Sequence, residues 1–205
     1  MNYLKTIPIN LLTLSGAFIG TWIALLIDKR LGLGNYSSSY ATIIGLSLVL
    51  YGLFFRFWAS YIFYKNNLKV LELGAQQKFI IEGPYQYTRN PLYVGIVAIS
   101  FGFVIYAGSI SGFIGAALIP LLGWHLWITH IEESRLEQKF GDEYRSYKNR
   151  VPRWVSLKGL LLFVVALIVS ISNYVVVSVH CFRFPDCERE IPITVYGTSW
   201  ANLHR

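Results

Sequence analysis

Residues 82–95 read Glu82-Gly83-Pro84-Tyr85-Gln86-Tyr87-Thr88-Arg89-Asn90-Pro91-Leu92-Tyr93-Val94-Gly95. Apolar runs lie on both sides of this stretch, yet it crowds glycine, proline, tyrosines, an acid, a base and amides into fourteen positions. Gly83-Pro84 reads as a turn. Asn90-Pro91 reads as a helix start, with asparagine as N-cap and proline at the first helical position, where its missing N–H costs nothing. The apolar run that follows lasts about four turns. A membrane helix therefore begins here, with its positive dipole end at the bilayer surface beside Arg89 and the tyrosines. Such an end suits an anionic group on a small molecule. The same residues also suit a snorkelling arginine within an interfacial aromatic belt that binds nothing.

Working outward, the chain of 205 residues is 54% hydrophobic and 14% charged, with a mean hydropathy of +0.46. Soluble domains carry about a quarter charged residues. The apolar surplus falls in long blocks separated by short polar intervals, the pattern of a polytopic membrane protein. The net charge of +7 sits beside those blocks. That placement fits the positive-inside bias and membrane lipids with anionic headgroups as partners, rather than nucleic acid.

Five spans are expected, at residues 7–27, 40–64, 91–106, 110–128 and 157–179. The first is followed by Asp28-Lys29-Arg30 instead of a small-residue cleavage site, so it reads as an anchor and not a signal peptide. Arg56 interrupts the second, and an arginine there is expected either to face other helices or to lie nearer the membrane surface than these bounds suggest. Only Ala107-Gly108-Ser109 joins the third and fourth, which predicts an antiparallel hairpin. Gly95, Ala98 and Gly102 in the third helix would allow close helix packing, and Pro120 should kink the fourth helix.

Residues 129–153 differ in kind. Leu136, Phe140, Tyr144, Tyr147 and Val151 recur at helical spacing among charges, with Gly141 placed to end one helix and Asp142 to cap the next. The fold class is thus an all-α integral membrane protein of about five transmembrane helices, with a cytoplasmic helical cap after the fourth. Its parts are an N-terminal two-helix hairpin (residues 1–64), a core (65–155), and a last helix with a polar tail (156–205). Most lysines and arginines fall in residues 65–89 and 129–158, which puts both intervals in the cytoplasm. The tail then lies outside, where Cys181 and Cys187 are expected to form a disulfide.

Chemistry is expected where the helix start at 89–93 meets the acidic pair Glu132-Glu133, because the hairpin between them returns to the same membrane face. One half offers N–H donors, an amide and aromatic rings; the other offers carboxylates. A zwitterion that also carries a sulfonium would use all of these, and S-adenosylmethionine is such a ligand. The same two glutamates also suit a solvated helix start. On the helix, Glu132 shares the apolar, membrane-facing side with Leu136 and Phe140, whereas Glu133 aligns with Glu137 on a flank that looks solvated. His125 and His130, five residues apart on a helix, make a poor metal pair, and no metal site is expected.

The two motifs together resemble the isoprenylcysteine carboxyl methyltransferase family and its phospholipid methyltransferase relatives. The residues that carry the resemblance are Gly83-Pro84-Tyr85 through Arg89-Asn90-Pro91-Leu92-Tyr93-Val94-Gly95, and Glu132-Glu133 with Leu136, Phe140-Gly141, Glu143-Tyr144, Tyr147 and Arg150-Val151-Pro152. It covers about residues 76–153. Members are membrane enzymes that bind S-adenosylmethionine without a Rossmann domain, and Gly32-Leu33-Gly34 lacks the third glycine and preceding strand of such a fold. The resemblance implies a cofactor held by Gln77, Lys78, Phe79, Ile80, Tyr85, Asn90, Pro91, Leu92, Tyr93 and Glu132, with Arg89, Asn90 and Glu132 as the catalytic set. It also implies a lipophilic or lipidated substrate. Position 90 is histidine in the isoprenylcysteine enzymes and often asparagine in bacterial-type relatives; Ile128 stands near where those enzymes place a substrate-binding arginine. Two other readings remain at this point: a sterol-reductase-like membrane enzyme using NADPH, and a non-enzymatic membrane scaffold.

Overall fold

The computed structural model describes residues 7–36, 38–66 and 80–183. Helix α1 covers Ile7–Leu31, α2 Ser39–Lys65 and α3 Pro91–Ala107. A continuous helical run then passes through α4 (Ile110–Gly112), a π turn (Phe113–Leu118), α5 (Ile119–Trp127), a second π turn (Ile128–Glu132) and α6 (Glu133–Arg150). The last helix, α7, covers Leu157–Arg183. There is no strand among the described residues, and each of the five expected spans is helical. The expected pairing of Cys181 with Cys187 falls outside what the structure describes, as do the side chains of Gln77, Lys78 and Phe79.

Helices α1 and α2 and the run that starts at Ile110 are each long and apolar enough to cross a membrane. That run is 41 residues long, and at 1.5 Å per residue it rises about 60 Å, twice the hydrocarbon thickness. Only its first half, to about Ile128, crosses. Glu132 and all of α6 stand outside the hydrocarbon as a helical cap. The chain is an integral membrane protein.

The centre of the bundle is the antiparallel pair α2–α3. Two glycines on each helix meet in register: a Cβ on Gly52 would come within 2.6 Å of the Gly95 carbonyl oxygen, and one on Gly102 within 2.7 Å of the Gly45 carbonyl oxygen. Without side chains there the backbones touch, which is how helices associate where no water drives them together. Gly95 and Gly102 were expected on α3; their partners Gly45 and Gly52 complete the contact. Arg56 is buried between helices, the first of its two expected placements. Its Nε donates to Asn10 Oδ1 of α1 at 3.0 Å and its Nη1 to the Leu92 carbonyl oxygen at 3.2 Å. Helix α7 packs on a cluster that α2 and α3 share, formed by Tyr51, Phe55, Val94 and Ala98, and the Tyr51 hydroxyl donates to the Gly159 carbonyl oxygen at 3.2 Å.

Pro120 perturbs its helix in a specific way. It has no N–H for the Ala116 carbonyl, and the preceding turn widens so that the Ile119 N–H reaches the Ile114 carbonyl, five residues back. In α6, Gly141 takes φ 52°, ψ −126° and splits the helix in two, a backbone that a residue with a Cβ would resist. Away from the polar loops, at the turn between α3 and α4, Asp28 is 1% exposed. Its Oδ2 accepts from Ser109 Oγ at 2.6 Å and its Oδ1 from the Ser111 N–H at 2.9 Å. The carboxylate at the end of α1 thereby caps α4 from a distance.

Candidate active site

Residues 83–90 turn the chain into α3, and residues 147–156 lie across them. Gly83–Gln86 forms one 3₁₀ turn. The Tyr147 hydroxyl donates to the Tyr85 carbonyl at 2.7 Å, the Arg89 N–H to the Pro152 carbonyl at 3.0 Å, and the Ser156 N–H to the Tyr87 carbonyl at 2.9 Å. Thr88 Oγ1 and Asn90 Nδ2 both donate to the Arg153 carbonyl oxygen at 3.0 Å. The two motifs, some sixty residues apart, are thus fastened to each other through buried backbone groups, which need such partners. That is the meeting of the two halves expected from the hairpin.

Asn90 occupies the N-cap position of α3 with Pro91 at the first helical position, but its side chain makes no cap bond. This corrects the expected role. The amide is drawn to the Arg153 carbonyl instead, and the Asn90 main-chain N–H is met by Thr88 Oγ1 at 3.1 Å.

The acidic pair lies at the junction of the second π turn and α6. Glu132 is 8% exposed, and it shares a pocket with Ile80, Tyr85, Arg89, Asn90, Pro91, Leu92 and Tyr93. Every described residue of the expected binding set therefore reaches one cavity. Tyr93 hydrogen bonds the Glu132 carboxylate, whereas its Oε2 is buried and finds no partner among the described residues. Burial, together with the Glu133 charge, raises the Glu132 carboxyl above its ordinary range.

Glu133 corrects the sequence reading. It is 4% exposed, not on a solvated flank. Arg153 grips it with both arms of its fork, Nε to Oε1 at 2.7 Å and Nη2 to Oε2 at 2.9 Å. Arg89 Nη1 lies 3.0 Å from Oε1 and Lys148 Nζ 3.9 Å from Oε2. Burial alone would raise this carboxyl, but the Arg153 bonds and the charges of Arg89, Arg153 and Lys148 hold it below the ordinary range. Glu133 does align with Glu137, since Lys148 lies against both; the flank is covered by cations from distant parts of the chain. The π turn adds to this, because its wider turn brings successive residues closer in direction than α-helical ones.

Arg89 completes the arrangement. It is close to Glu133, and it hydrogen bonds Tyr144. Its Nε and Nη1 are nevertheless buried with no well-aligned acceptor among the described residues. Leu136, Tyr144 and Tyr147 form the remaining wall, so Leu136, expected with Glu132 on a membrane-facing side, covers the pocket instead, while Phe140 takes no part in it. The helical spacing of those residues pointed to a common face but not to what it would cover. Arg153, too, had no assigned role. His125 and His130 take no part in the wall; His125 Nδ1 accepts from Trp154 Nε1 at 3.2 Å.

Comparison with known proteins agrees with this geometry. The family model described as phospholipid methyltransferase matches residues 40–143, from the start of α2 into α6. The chain belongs to the phospholipid methyltransferase family. It is similar to the protein-S-isoprenylcysteine O-methyltransferase of Schizosaccharomyces pombe, 32% identical over 80 residues, or 38% of this chain and 33% of that one. The Xenopus laevis protein of the same name is 26% identical over 140 residues, 66% of this chain and 48% of that one. An uncharacterized protein of Haemophilus influenzae is 34% identical over 64 residues, 31% of this chain and all of that one. The chain thus spans between a third and a half of the length of the two isoprenylcysteine enzymes. The family match includes Arg89 and both glutamates and stops short of Tyr144, Tyr147 and Arg153.

Proposed function

We propose that this chain is an integral membrane methyltransferase that takes the methyl group of S-adenosylmethionine to a lipid-soluble acceptor, namely the carboxylate of an isoprenylcysteine-like substrate or a related lipid group. One observation carries the reading. A single pocket, built between the family's two motifs, holds a buried carboxylate oxygen, Glu132 Oε2, and a buried guanidinium nitrogen, Arg89 Nε, that have no hydrogen-bond partner among the described residues, while Arg89 Nη1 has only the poorly aligned Glu133 contact. Buried polar groups are otherwise almost always paired. A ligand bearing both an ammonium and a carboxylate, as the amino-acid end of S-adenosylmethionine does, would meet both needs. No such pairing is expected at a purely structural site or in a scaffold.

When bound, S-adenosylmethionine would supply a methyl group already activated by its sulfonium. The work left to the protein is binding, orientation and exclusion of water. Glu132 would hold an ammonium or hydroxyl hydrogens, and Arg89 a carboxylate, with the α3 N-terminus adding its dipole. Tyr85, Tyr93, Tyr144 and Tyr147 would offer ring faces to a cationic sulfur. An ionised carboxylate or a neutral amine on the acceptor needs no strong base, which agrees with a site whose acids are engaged in binding. Apolar Ile80 and Leu136 in the wall suit an acceptor that arrives from the bilayer. The bias of lysine and arginine toward the loops at this end favours a cytoplasmic site.

Equilibrium binding by the detergent-solubilised protein tests the reading, with S-adenosylmethionine and NADPH compared side by side. Saturable binding of the first and none of the second is expected. Binding of NADPH alone would favour a reductase, and binding of neither would favour a scaffold.

A further inference from the structure

We infer that Arg153 is a positioning residue for the methyl donor: its side chain and its main chain together set where Arg89 stands in the pocket that Glu132 also lines. The inference rests on the S-adenosylmethionine reading above and deepens it. Arg153 touches both motifs by different means. Its carbonyl oxygen receives Thr88 and Asn90, which fixes the entry to α3. Its guanidinium holds Glu133 in a two-bond fork. Glu133 in turn lies 3.0 Å from Arg89 Nη1. The chain of contact runs Arg153, Glu133, Arg89, pocket. Arg153 itself is absent from the pocket wall.

The charge arrangement explains why such a device would be needed. Glu133 alone could neutralise Arg89 fully, leaving nothing for a ligand carboxylate. Shared among Arg89, Arg153 and Lys148, it neutralises none of them. The fork also fixes the direction of the carboxylate, because guanidinium and carboxylate match in plane and spacing. Arg89 is thereby held in place beside Glu133 while its Nε and Nη1 stay without an aligned acceptor. A lysine at 153 would keep the charge and lose the fork.

The groups facing Glu133 are Arg89 from the loop before α3, Lys148 from α6, Arg153 from the segment after it, and the neighbouring Glu132; Tyr144 interacts with it electrostatically. Arg153 is the best aligned of the cations. Removing it should let the Glu133 carboxyl rise, so that Glu133 protonates and Arg89 loses its counter-ion at a higher pH than in the wild type.

The test measures S-adenosylmethionine binding by the full-length protein in detergent, from about pH 5 to pH 8, for wild type, Arg153→Lys, Arg153→Met and Glu133→Gln. The backbone carbonyl at 153 survives in every variant, so the fastening of the two motifs is kept. At pH 7.5 we expect affinity to fall about threefold to tenfold for Arg153→Lys and about tenfold to a hundredfold for Arg153→Met. With Glu132→Gln in the background, so that its own raised carboxyl does not titrate, the acid limb of binding should move up by about one pH unit or more in Arg153→Met, and Glu133→Gln should lack that limb. The double variant Arg153→Met/Glu133→Gln should bind no worse than the weaker single one. A merely structural role would lower affinity and thermal midpoint in all variants while the acid limb stayed where Glu132→Gln alone has it; that result overturns the inference. So does wild-type affinity in Arg153→Met. If the wild type itself does not bind S-adenosylmethionine, the donor reading fails and this inference with it.

Discussion

Asp28 and Glu132 are buried carboxylates at opposite ends of the helix bundle, and the difference between them separates architecture from function. Asp28 sits where α1 ends, with one oxygen bonded by the Ser109 hydroxyl and the other by the Ser111 N–H. Glu132 sits where the fourth span leaves the membrane, bonded by Tyr93 and with Oε2 open to no described donor. The first carboxylate is used up by the fold. The second is held in place with capacity to spare. Burial alone does not distinguish them, since their exposures are 1% and 8%; what their oxygens touch does.

The largest effect should come from breaking the satisfied end. Asp28→Ala removes a charged acceptor from two donors and uncaps α4, a loss of about 3 kcal/mol in folded-state stability. The thermal midpoint in detergent should drop markedly, while the fraction that stays folded binds S-adenosylmethionine like wild type. A binding defect in that folded fraction would mean that the two ends are coupled and that the contrast drawn here is too sharp.

Glu132→Gln should do the reverse. Losing a charge-assisted bond to a ligand costs about 1.5–3 kcal/mol, or roughly tenfold to a hundredfold in affinity. The folded protein should not suffer. Burial raises the Glu132 carboxyl, so the folded state binds its proton more tightly than the unfolded chain does, and stability declines as the pH rises past that range. A neutral glutamine removes this cost. The thermal midpoint at neutral pH should hold or increase, and a fall of several degrees would mark Glu132 as a structural group.

Much of this contrast could be read from the chain itself. Asn90-Pro91 announces α3 at the residue where it begins, and the amphipathic spacing after Thr129 announces the cap. Local chemistry dictates both. Glu132 was separable from its neighbour because Leu136 follows it by one helical turn. The errors share a different origin. Glu133 looked solvated because its partners Arg89 and Arg153 are 44 and 20 residues away, and no periodicity reports on contacts at that range. Asn90 looked like a cap because the Arg153 carbonyl that captures its amide cannot be foreseen from the motif alone. The π turn at 128–132 leaves no residue signature, whereas the one at 113–118 is at least foreshadowed by Pro120. Tyr144 and Tyr147 were visible as a stripe, but whether a stripe faces lipid or a pocket depends on what folds against it.

Tyr147 provides the smallest and most discriminating prediction. It belongs to both sides of the comparison: its ring lines the pocket, and its hydroxyl is spent on the Tyr85 carbonyl at 2.7 Å. Tyr147→Phe keeps the ring and deletes the bond, leaving a buried carbonyl with one donor fewer. The loss of a neutral hydrogen bond of this kind is about 1 kcal/mol. If the hydroxyl serves the fold alone, as Asp28 does, that loss should appear entirely in the thermal midpoint and donor affinity should change by less than about threefold. The ring faces offered to a ligand are unchanged, so affinity has no other reason to move. A drop of tenfold or more with little change in midpoint would mean that the hydroxyl, like Glu132, is held ready for the ligand. The line between satisfied and vacant polar groups would then run through the fastening of the two motifs and not only through the pocket it encloses.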